Sequence, residues 1–406
     1  MSKAPKLRFK EFSGDWEEKK LGKLGEFKKT YSFSRNVEGE GNYKHIHYGD
    51  IHMNYNGIIS KDKYIPSIDI PSDDSYEFIK ERDIIFADAS EDRKDLGKVA
   101  VVRDIEGNVL SGLHTICFRP NESLNSEFFL NHSLNKEYLK FMYTRGNGAK
   151  VLGISKSNLS EYKFLAPSKE EQEKIASFFS LIDDKISLQG EKLEMLKDYK
   201  RGMMQKIFSR ELRFKDDDGR DYPEWEEKKF KDFTKINQGL QIPISERYTT
   251  EGENRYFYIT NEFLKSDSET KYYIENPSES VICYEDDILM TRTGNTGKVV
   301  TGVKGAFHNN FFKIAYDKEK YDRMFLYYIL TSHKMQKNII RLAGSSTIPD
   351  LNHSDFYNIK VKLPIIEEQK KIADLLIRLD SKISKEQEKL DSLNEYKKGL
   401  LQQMFV

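Results

Sequence analysis

Cysteine is scarce: the 406-residue chain has two, Cys117 and Cys283, far apart and neither in a CxxC pair. Such usage gives no disulfide framework and reads as two small core thiols in a reducing, cytoplasmic setting. The ten prolines are never adjacent, so the Asn/Asp-Pro-Pro-aromatic loop of common adenine methyltransferases is missing. No GxGxG cofactor loop follows a strand pattern. No apolar run approaches the roughly 20 residues that cross a bilayer, and the opening MSKAPKLRFKEF lacks the apolar centre of a signal peptide. Net charge is also lacking, with 66 basic against 66 acidic residues. A non-specific nucleic-acid coat would need a basic excess; local basic surfaces, or partners that carry part of the phosphate contact, stay open. What is present suits a soluble protein of two or three domains. Hydrophobic residues make up 38%, with 25 Phe and 23 Tyr for cores. Charged residues make up 33%, with a mean hydropathy of −0.70.

The main positive signal is an internal repeat, which has to be sought before any other pattern. The segment from Pro167 to Phe208 matches that from Pro364 to Phe405 without a gap, with about 20 identical positions. LRFK opens at Leu7 and again at Leu212, and WEEKK at Trp16 and again at Trp225. A weaker echo sets ERDIIFADAS and GKVAVV against YEDDILMTRTG and GKVVTG. Between these marks the halves diverge, as expected of one scaffold presenting two different reading surfaces.

Both repeated segments predict long helices with apolar residues in alternating steps of three and four. In the first these are Ile175, Phe179, Ile182, Ile186, Leu193, Leu196, Met203 and Ile207. In the second they are Ile372, Leu376, Leu379, Ile383, Leu390, Leu393, Leu400 and Met404. A spacing of 3.5 is a coiled-coil seam. Each seam is interrupted at matching places, by Gln189 and Glu386 and then by Lys200 and Lys397; polar seam residues fix register or partner at some expense of stability. Ser168 with Glu171 predicts a capping box for the first helix. The helices are expected to pair with each other, the alternative being that each docks separately on its own half.

The fold class expected is α+β: two mixed, β-rich domains over residues 1–166 and 210–363, joined by the helices at 167–209 and 364–406. Strands are predicted at 83–86, 99–102, 114–118, 281–284, 287–290 and 311–314, and single helices at 127–143 and 323–341. Four turns in the two halves combine Gly, Ser or Asn with basic residues. Their backbone N–H groups suit phosphate, while Arg, Asn and Thr can read base edges. Candidate DNA contacts are Ser90, Arg93, Lys94, Lys98, Lys150, Ser155 and Lys156 in the first half. In the second they are Arg292, Thr293, Asn295, Lys298, Ser345, Ser346 and Thr347. Ordinary solvated turns are the plain alternative.

Other constellations fail on spacing. RTGNTGKVV resembles a phosphate loop, but only two residues separate Gly294 from Gly297, and Val299 stands where Ser or Thr would hold magnesium. Pro349 and Asp350 with Glu368 and Lys370 fit a loose nuclease pattern, yet the first half has no counterpart to the Pro-Asp pair. His45, His47 and His52 cluster without the further ligands a zinc site needs. No catalytic, cofactor-binding or metal-binding residue is therefore assigned.

The duplicated P-x-x-EEQ-x-KIA junctions at Pro167 and Pro364, the endings YKRGMMQKIF and YKKGLLQQMF, and the repeated LRF…WEEKK openings together carry a resemblance. The chain resembles the specificity subunits of type I restriction-modification systems over essentially its whole length. The resemblance implies two target-recognition domains, each reading half of an interrupted site in double-stranded DNA, with the helices forming an antiparallel coiled coil that sets the gap. It also implies docking of two methyltransferase subunits and of restriction/translocase subunits, with no membrane partner. S-adenosylmethionine, ATP and magnesium then belong to those partners, and this chain is no enzyme itself. On that expectation, four residues inserted near Gly190 lengthen the gap and spare both half-sites. A duplicated lectin-like or peptide-binding scaffold is the competing class; duplex-dependent binding with a steep salt slope separates the two. A self-contained nuclease or methylase would need motifs absent from the chain.

Overall fold

The computed structural model describes residues 3–92, 94–148, 150–265, 270–344 and 349–406. The chain forms two compact units, Met1–Gly190 with Glu388–Val406, and Glu191–Gln387. Each unit therefore takes part of both long helices, where the sequence suggested domains ending at the helix starts.

Unit 1 is built on a five-stranded sheet in the order Gly25–Phe27, Thr115–Pro120, Ile84–Ala87, Val99–Val102, Ile58–Ile59. Neighbours run antiparallel except the last pair, which is parallel. The strands Ile84–Ala87 and Val99–Val102 are buried at every position, which explains their unbroken apolar runs. A three-stranded sheet (Ser67–Ile68, Glu38–Ile46, Asn108–Ser111) stands beside it. Its helices among the described residues are, in chain order, α1 (Tyr48–Met53), α2 (Ser126–His132), α3 (Lys136–Arg145), α4 (Lys156–Ser160) and the first part of the long α5 (Lys169–Ser209).

Unit 2 repeats the frame: Thr234–Gln238, Phe311–Tyr316, Ile288–Thr291, Val299–Val300 form its antiparallel sheet. Its second sheet, Tyr273–Glu275, Arg255–Ile259, Gly305–Phe307, Ile282–Cys283, replaces the three-stranded one. Its helices are α6 (Arg323–Thr331), α7 (His333–Ala343), α8 (His353–Asn358) and the long α9 (Ile366–Met404). The single helices expected at 127–143 and 323–341 are each two. The Asn135 side chain caps α3 by accepting the Tyr138 N–H, and Ser332 caps α7 by accepting that of Met335. A residue free to cap ends one helix and starts the next.

The repeated motifs tie each unit together. WEEKK gives a strand, Glu17–Lys20 or Glu226–Lys229, paired antiparallel with the strand just before the long helix, Lys163–Ala166 or Lys360–Leu363. The arginine of LRF reaches the second glutamate of EEQ. Arg8 donates from Nε and Nη2 to Glu171, both at 2.7 Å; Arg213 does so to Glu368 at 3.3 and 2.9 Å. The following glutamine holds the start of the middle helix. Gln172 Oε1 accepts the Asn125 N–H and its amide donates to the Pro167 carbonyl; Gln369 does the same with Asp322 and Pro364. Glu171 is thus turned onto Arg8, so only half of the expected capping box forms: its N–H donates to the Ser168 hydroxyl at 3.4 Å.

The long helices form an antiparallel coiled coil and do not dock singly on separate halves. In unit 1, Asp183 of α5 meets Lys397 of α9 at 2.5 Å, and the Phe179 and Phe405 rings lie 6.0 Å apart. In unit 2, Lys200 meets Asp380 at 2.5 Å and Lys192 meets the buried Glu386 at 3.0 Å. As one number rises the other falls. Ile175, Phe179, Ile182, Leu193, Ile207, Ile372, Leu376, Leu400 and Met404 are buried, and Ile186, Leu196, Met203, Leu379, Ile383, Leu390 and Leu393 half-buried. Off the seam, Leu181, Leu188 and Met195 are exposed. The helix ends enter the cores: Phe405 packs with Trp16, Phe128 and Phe179 in unit 1, and Ile372 and Leu376 with Phe325 and Trp225 in unit 2.

Candidate nucleic-acid interface

At one end of each main sheet, two chain segments far apart in sequence meet. In unit 1 the segment after Ile84–Ala87 pairs with the loop before α4, Ser90 opposite Leu152 and Ala89 opposite Gly153. In unit 2 the segment after Ile288–Thr291 meets the loop before α8, with Thr293 opposite Asp350. The turn that follows closes on a left-handed glycine, Gly97 (φ +72°) or Gly297 (φ +86°). Its N–H donates to the strand just left, to Ala87 or Thr291, and its carbonyl accepts from the middle helix, from Tyr138 Oη or Gln336 Nε2. A Cβ there would meet Met142 Sδ at 2.6 Å in unit 1, and Ile339 and Gln336 at 3.0–3.1 Å in unit 2. Positive φ and close approach together require glycine. The described residues of the expected 90–98 and 150–156 groups thus lie on one surface of unit 1, and in unit 2 Thr293 of the 292–298 group meets Asp350.

The individual candidates have different positions. Lys94, Lys150, Asn295 and Lys298 are exposed and available to phosphate or base. Asn295 holds a left-handed backbone (φ +60°) while its carbonyl accepts from Thr291 Oγ1. Lys98 is partly covered, its ammonium donating to the His52 carbonyl at 3.0 Å. Lys156 donates to the Lys28 carbonyl at 2.8 Å, and the Ser155 hydroxyl caps α4 by accepting the Asn158 N–H. Ser90 is only 5% exposed, and its hydroxyl accepts the Asp92 N–H. Lys98, Lys156, Ser155 and Ser90 thus spend hydrogen bonds on the fold, the serines on N–H groups of their own turns and the lysines on carbonyls of distant segments. Arg93, Ser345, Ser346 and Thr347 lie outside the described residues.

Arg292 points its Nε and Nη2 at Asp350, at 3.0 and 2.7 Å, and the Thr293 hydroxyl shares the same carboxylate. The guanidinium holds the Asp350 carboxyl below its ordinary value. This pairing occupies one edge of the fork and leaves the end-on N–H groups of Nη1 and Nη2, an orientation suited to two acceptors on one base. The Arg292 side chain is 30% exposed. Asp350 and Glu368, the carboxylates of the loose nuclease pattern, are both engaged by arginines, and Glu368 also accepts from Trp225 Nε1.

Two residues that the sequence reading left out occupy the same surface of unit 1. Asp88 directly follows the strand Ile84–Ala87, and His114 directly precedes Thr115–Pro120; His114 Nδ1 lies 3.1 Å from Asp88 Oδ1. Burial pushes the Asp88 carboxyl up, with His114 working against it. Tyr48 of α1 sets its ring edge-on to His114 at 5.4 Å. The echo of FADAS with MTRTG already placed Asp88 opposite Arg292; nothing local in the sequence pointed to His114. The histidines noted earlier are separately engaged: His45 Nε2 faces Glu38, His47 Nδ1 accepts from Gly49, and His52 Nε2 faces the Ala89 carbonyl. Among the described residues no group of three or more His, Cys, Asp or Glu could hold a metal ion, and no helix is long and apolar enough to cross a membrane.

Comparisons with known proteins agree with this duplicated architecture. The MjaX type I restriction enzyme specificity subunit of Methanocaldococcus jannaschii is 28% identical over 330 residues, 79% of this chain and 76% of that one. The MjaVIII specificity subunit of the same organism is 30% identical over 202 residues, 49% of this chain and 46% of that one. The solved S subunit of a type I restriction-modification system from M. genitalium shares the fold, with a TM-score of 0.60 over 99% of each chain at 17% identity. A chain from a structure addressing complex assembly and conformational transition of the type I R-M system gives 0.59 at 16% identity, over 95% and 96%. A model of the type I restriction modification DNA specificity domain matches residues 13–198 and 222–395. The chain belongs to the family of type I restriction-modification DNA specificity subunits.

Proposed function

We propose that each unit reads one half of a two-part site in double-stranded DNA, and that the paired helices fix the unread gap and dock two methyltransferase subunits. Restriction/translocase subunits join that assembly in the cytoplasm. The carrying observation is the duplicated frame: the same glycine-closed turn meets a second loop at the same sheet end in each unit, filled by different polar residues. A common frame with different fillings is what two different half-sites require. Phosphate contacts from Lys94, Lys150 and Lys298 position the duplex, and the polar groups between them read bases. The chain supplies no catalytic group: S-adenosylmethionine, ATP and magnesium act on the partner subunits. In support, the carboxylates that mimic a nuclease motif are tied up by Arg292 and Arg213.

The test is co-expression with a cognate methyltransferase subunit in a methylation-free bacterial host, followed by genome-wide mapping of modified adenines. A new two-part motif with a fixed gap is expected. A co-purifying complex that modifies no such motif would overturn the assignment.

A further inference from the structure

The two units fill one frame position with opposite hydrogen-bond chemistry. Asp88 and Arg292 each directly follow the third strand in the order of the main sheet, Ile84–Ala87 or Ile288–Thr291. Each donates its N–H to the residue before the paired neighbouring strand, to the His114 carbonyl at 3.0 Å or the Asn310 carbonyl at 2.7 Å. Each accepts at its carbonyl from the second loop, from the Ile154 N–H at 2.8 Å or the Leu351 N–H at 3.0 Å. Asp88 is therefore the unit 1 occupant of the Arg292 position, and His114 that of the Asn310 position.

The side chains at these positions differ in sign. Arg292 offers only donors. Asp88 as a carboxylate offers only acceptors; in the His114 tautomer that carries its hydrogen on Nδ1, facing Asp88, the Nε2 lone pair is a second acceptor. The His114 side chain is 50% exposed and that of Asp88 28%, so the pair is reached from solvent. The pair is also held in place. His114 keeps a left-handed backbone at φ +55°, uncommon for a residue with a Cβ, while its carbonyl and its ring are both bonded to Asp88 and Tyr48 abuts the ring. The exposed Lys94 and Lys150 belong to the two unit 1 segments that pair beside Asp88, as contacts to phosphates flanking a base edge require.

We infer that unit 1 uses the Asp88–His114 pair to read an exocyclic amino group in the major groove, adenine N6 or cytosine N4, at the position where unit 2 uses Arg292 to read guanine. This rests on the DNA-reading assignment above. Amino groups are the major-groove donors of the four bases, whereas guanine presents N7 and O6 as acceptors. The two half-sites thus differ in kind at corresponding places, although the backbone frame is shared.

The experiment compares the methylation maps of complexes carrying the wild-type chain, Asp88→Asn, His114→Asn or Arg292→Lys. Asn tolerates the left-handed backbone, so His114→Asn removes the imidazole with little strain. Asp88→Asn is nearly isosteric and serves as the second, independent variant. Each is expected to relax one A or C of a single half-site by about tenfold and to leave the gap and the other half-site unchanged. Arg292→Lys relaxes one G of that other half-site. A wild-type motif left intact by both unit 1 variants, or relaxed by them at G or T, overturns the inference alone. No two-part motif from the wild-type complex overturns the assignment beneath it.

Discussion

Among single residues, His132 illustrates how the core sets a pH limit. The ring is buried in α2, with Nε2 2.8 Å from Tyr162 Oη and Nδ1 3.1 Å from Asn135 Nδ2, stacked on Phe128 with the Phe164 and Phe405 rings tilted against it. Burial pushes its pKa down to about 3. The folded group therefore binds its proton far later than the unfolded one, near 6.5. Above pH 6.5 neither state is protonated and the residue adds no pH dependence. As pH falls from 6.5 towards 3 the unfolded state takes up a proton that the folded state refuses, and stability drops, by about 2 kcal/mol at pH 5. Each unit has one tryptophan, so in a Trp225→Phe background Trp16 fluorescence follows unit 1. Urea unfolding at pH 7 and pH 5 should show a loss smaller for His132→Gln than for its parent by that same amount. Equal losses would show that the ring charges in place.

At the scale of elements, two kinds of ion pair recur in the repeat and should differ in weight. Glu171 is 1% exposed and Arg8 16%, whereas Asp183 is 47% exposed and Lys397 20%. Removing one partner of a buried pair strands a charge away from water, at about 3 kcal/mol or more; a half-exposed pair is worth about 1 kcal/mol or less. Urea midpoints read by Trp16 should therefore fall much further for Glu171→Ala than for Lys397→Ala, and a reversed order would make the seam pair the stronger tie. The sequence displayed both pairs, but only their repetition marked them: Arg8 and Glu171 stand at opposite ends of the first half, and nothing local joins LRF to EEQ. The seam was legible because a 3.5 period is a local pattern. The breaks at Asn135 and Ser332 were hidden, since a capping side chain looks like any polar residue on a helix surface. The strand Glu17–Lys20 was hidden by its charge, which a short two-stranded pairing tolerates on its solvent side. His114 gains its meaning only from Asp88, which the chain brings to it across a strand pairing.

For the whole molecule, the polar seam positions define how the helices could act as a ruler. The separation of Asp183 from Lys200 on α5 equals that of Asp380 from Lys397 on α9, and each lysine pairs with the aspartate of the other helix. An insertion near Gly190 alone lengthens one spacing and not the other, so both pairs cannot persist. Four residues also shift the phase of a 3.5-residue seam by half a residue, whereas seven preserve it. The structure thus changes the expectation drawn from sequence: the extension has to be a heptad and has to be matched, after Gly190 in α5 and after Gln387 in α9. Seven residues add about 10 Å of helix, up to about three base pairs of duplex at 3.4 Å each. In the co-expressed methyltransferase complex the matched heptad should yield the same two half-sites with a longer gap. The one-sided insertion should lower stability and weaken modification at every gap. Half-sites that changed while the gap stayed constant would mean that the helices do not set the spacing.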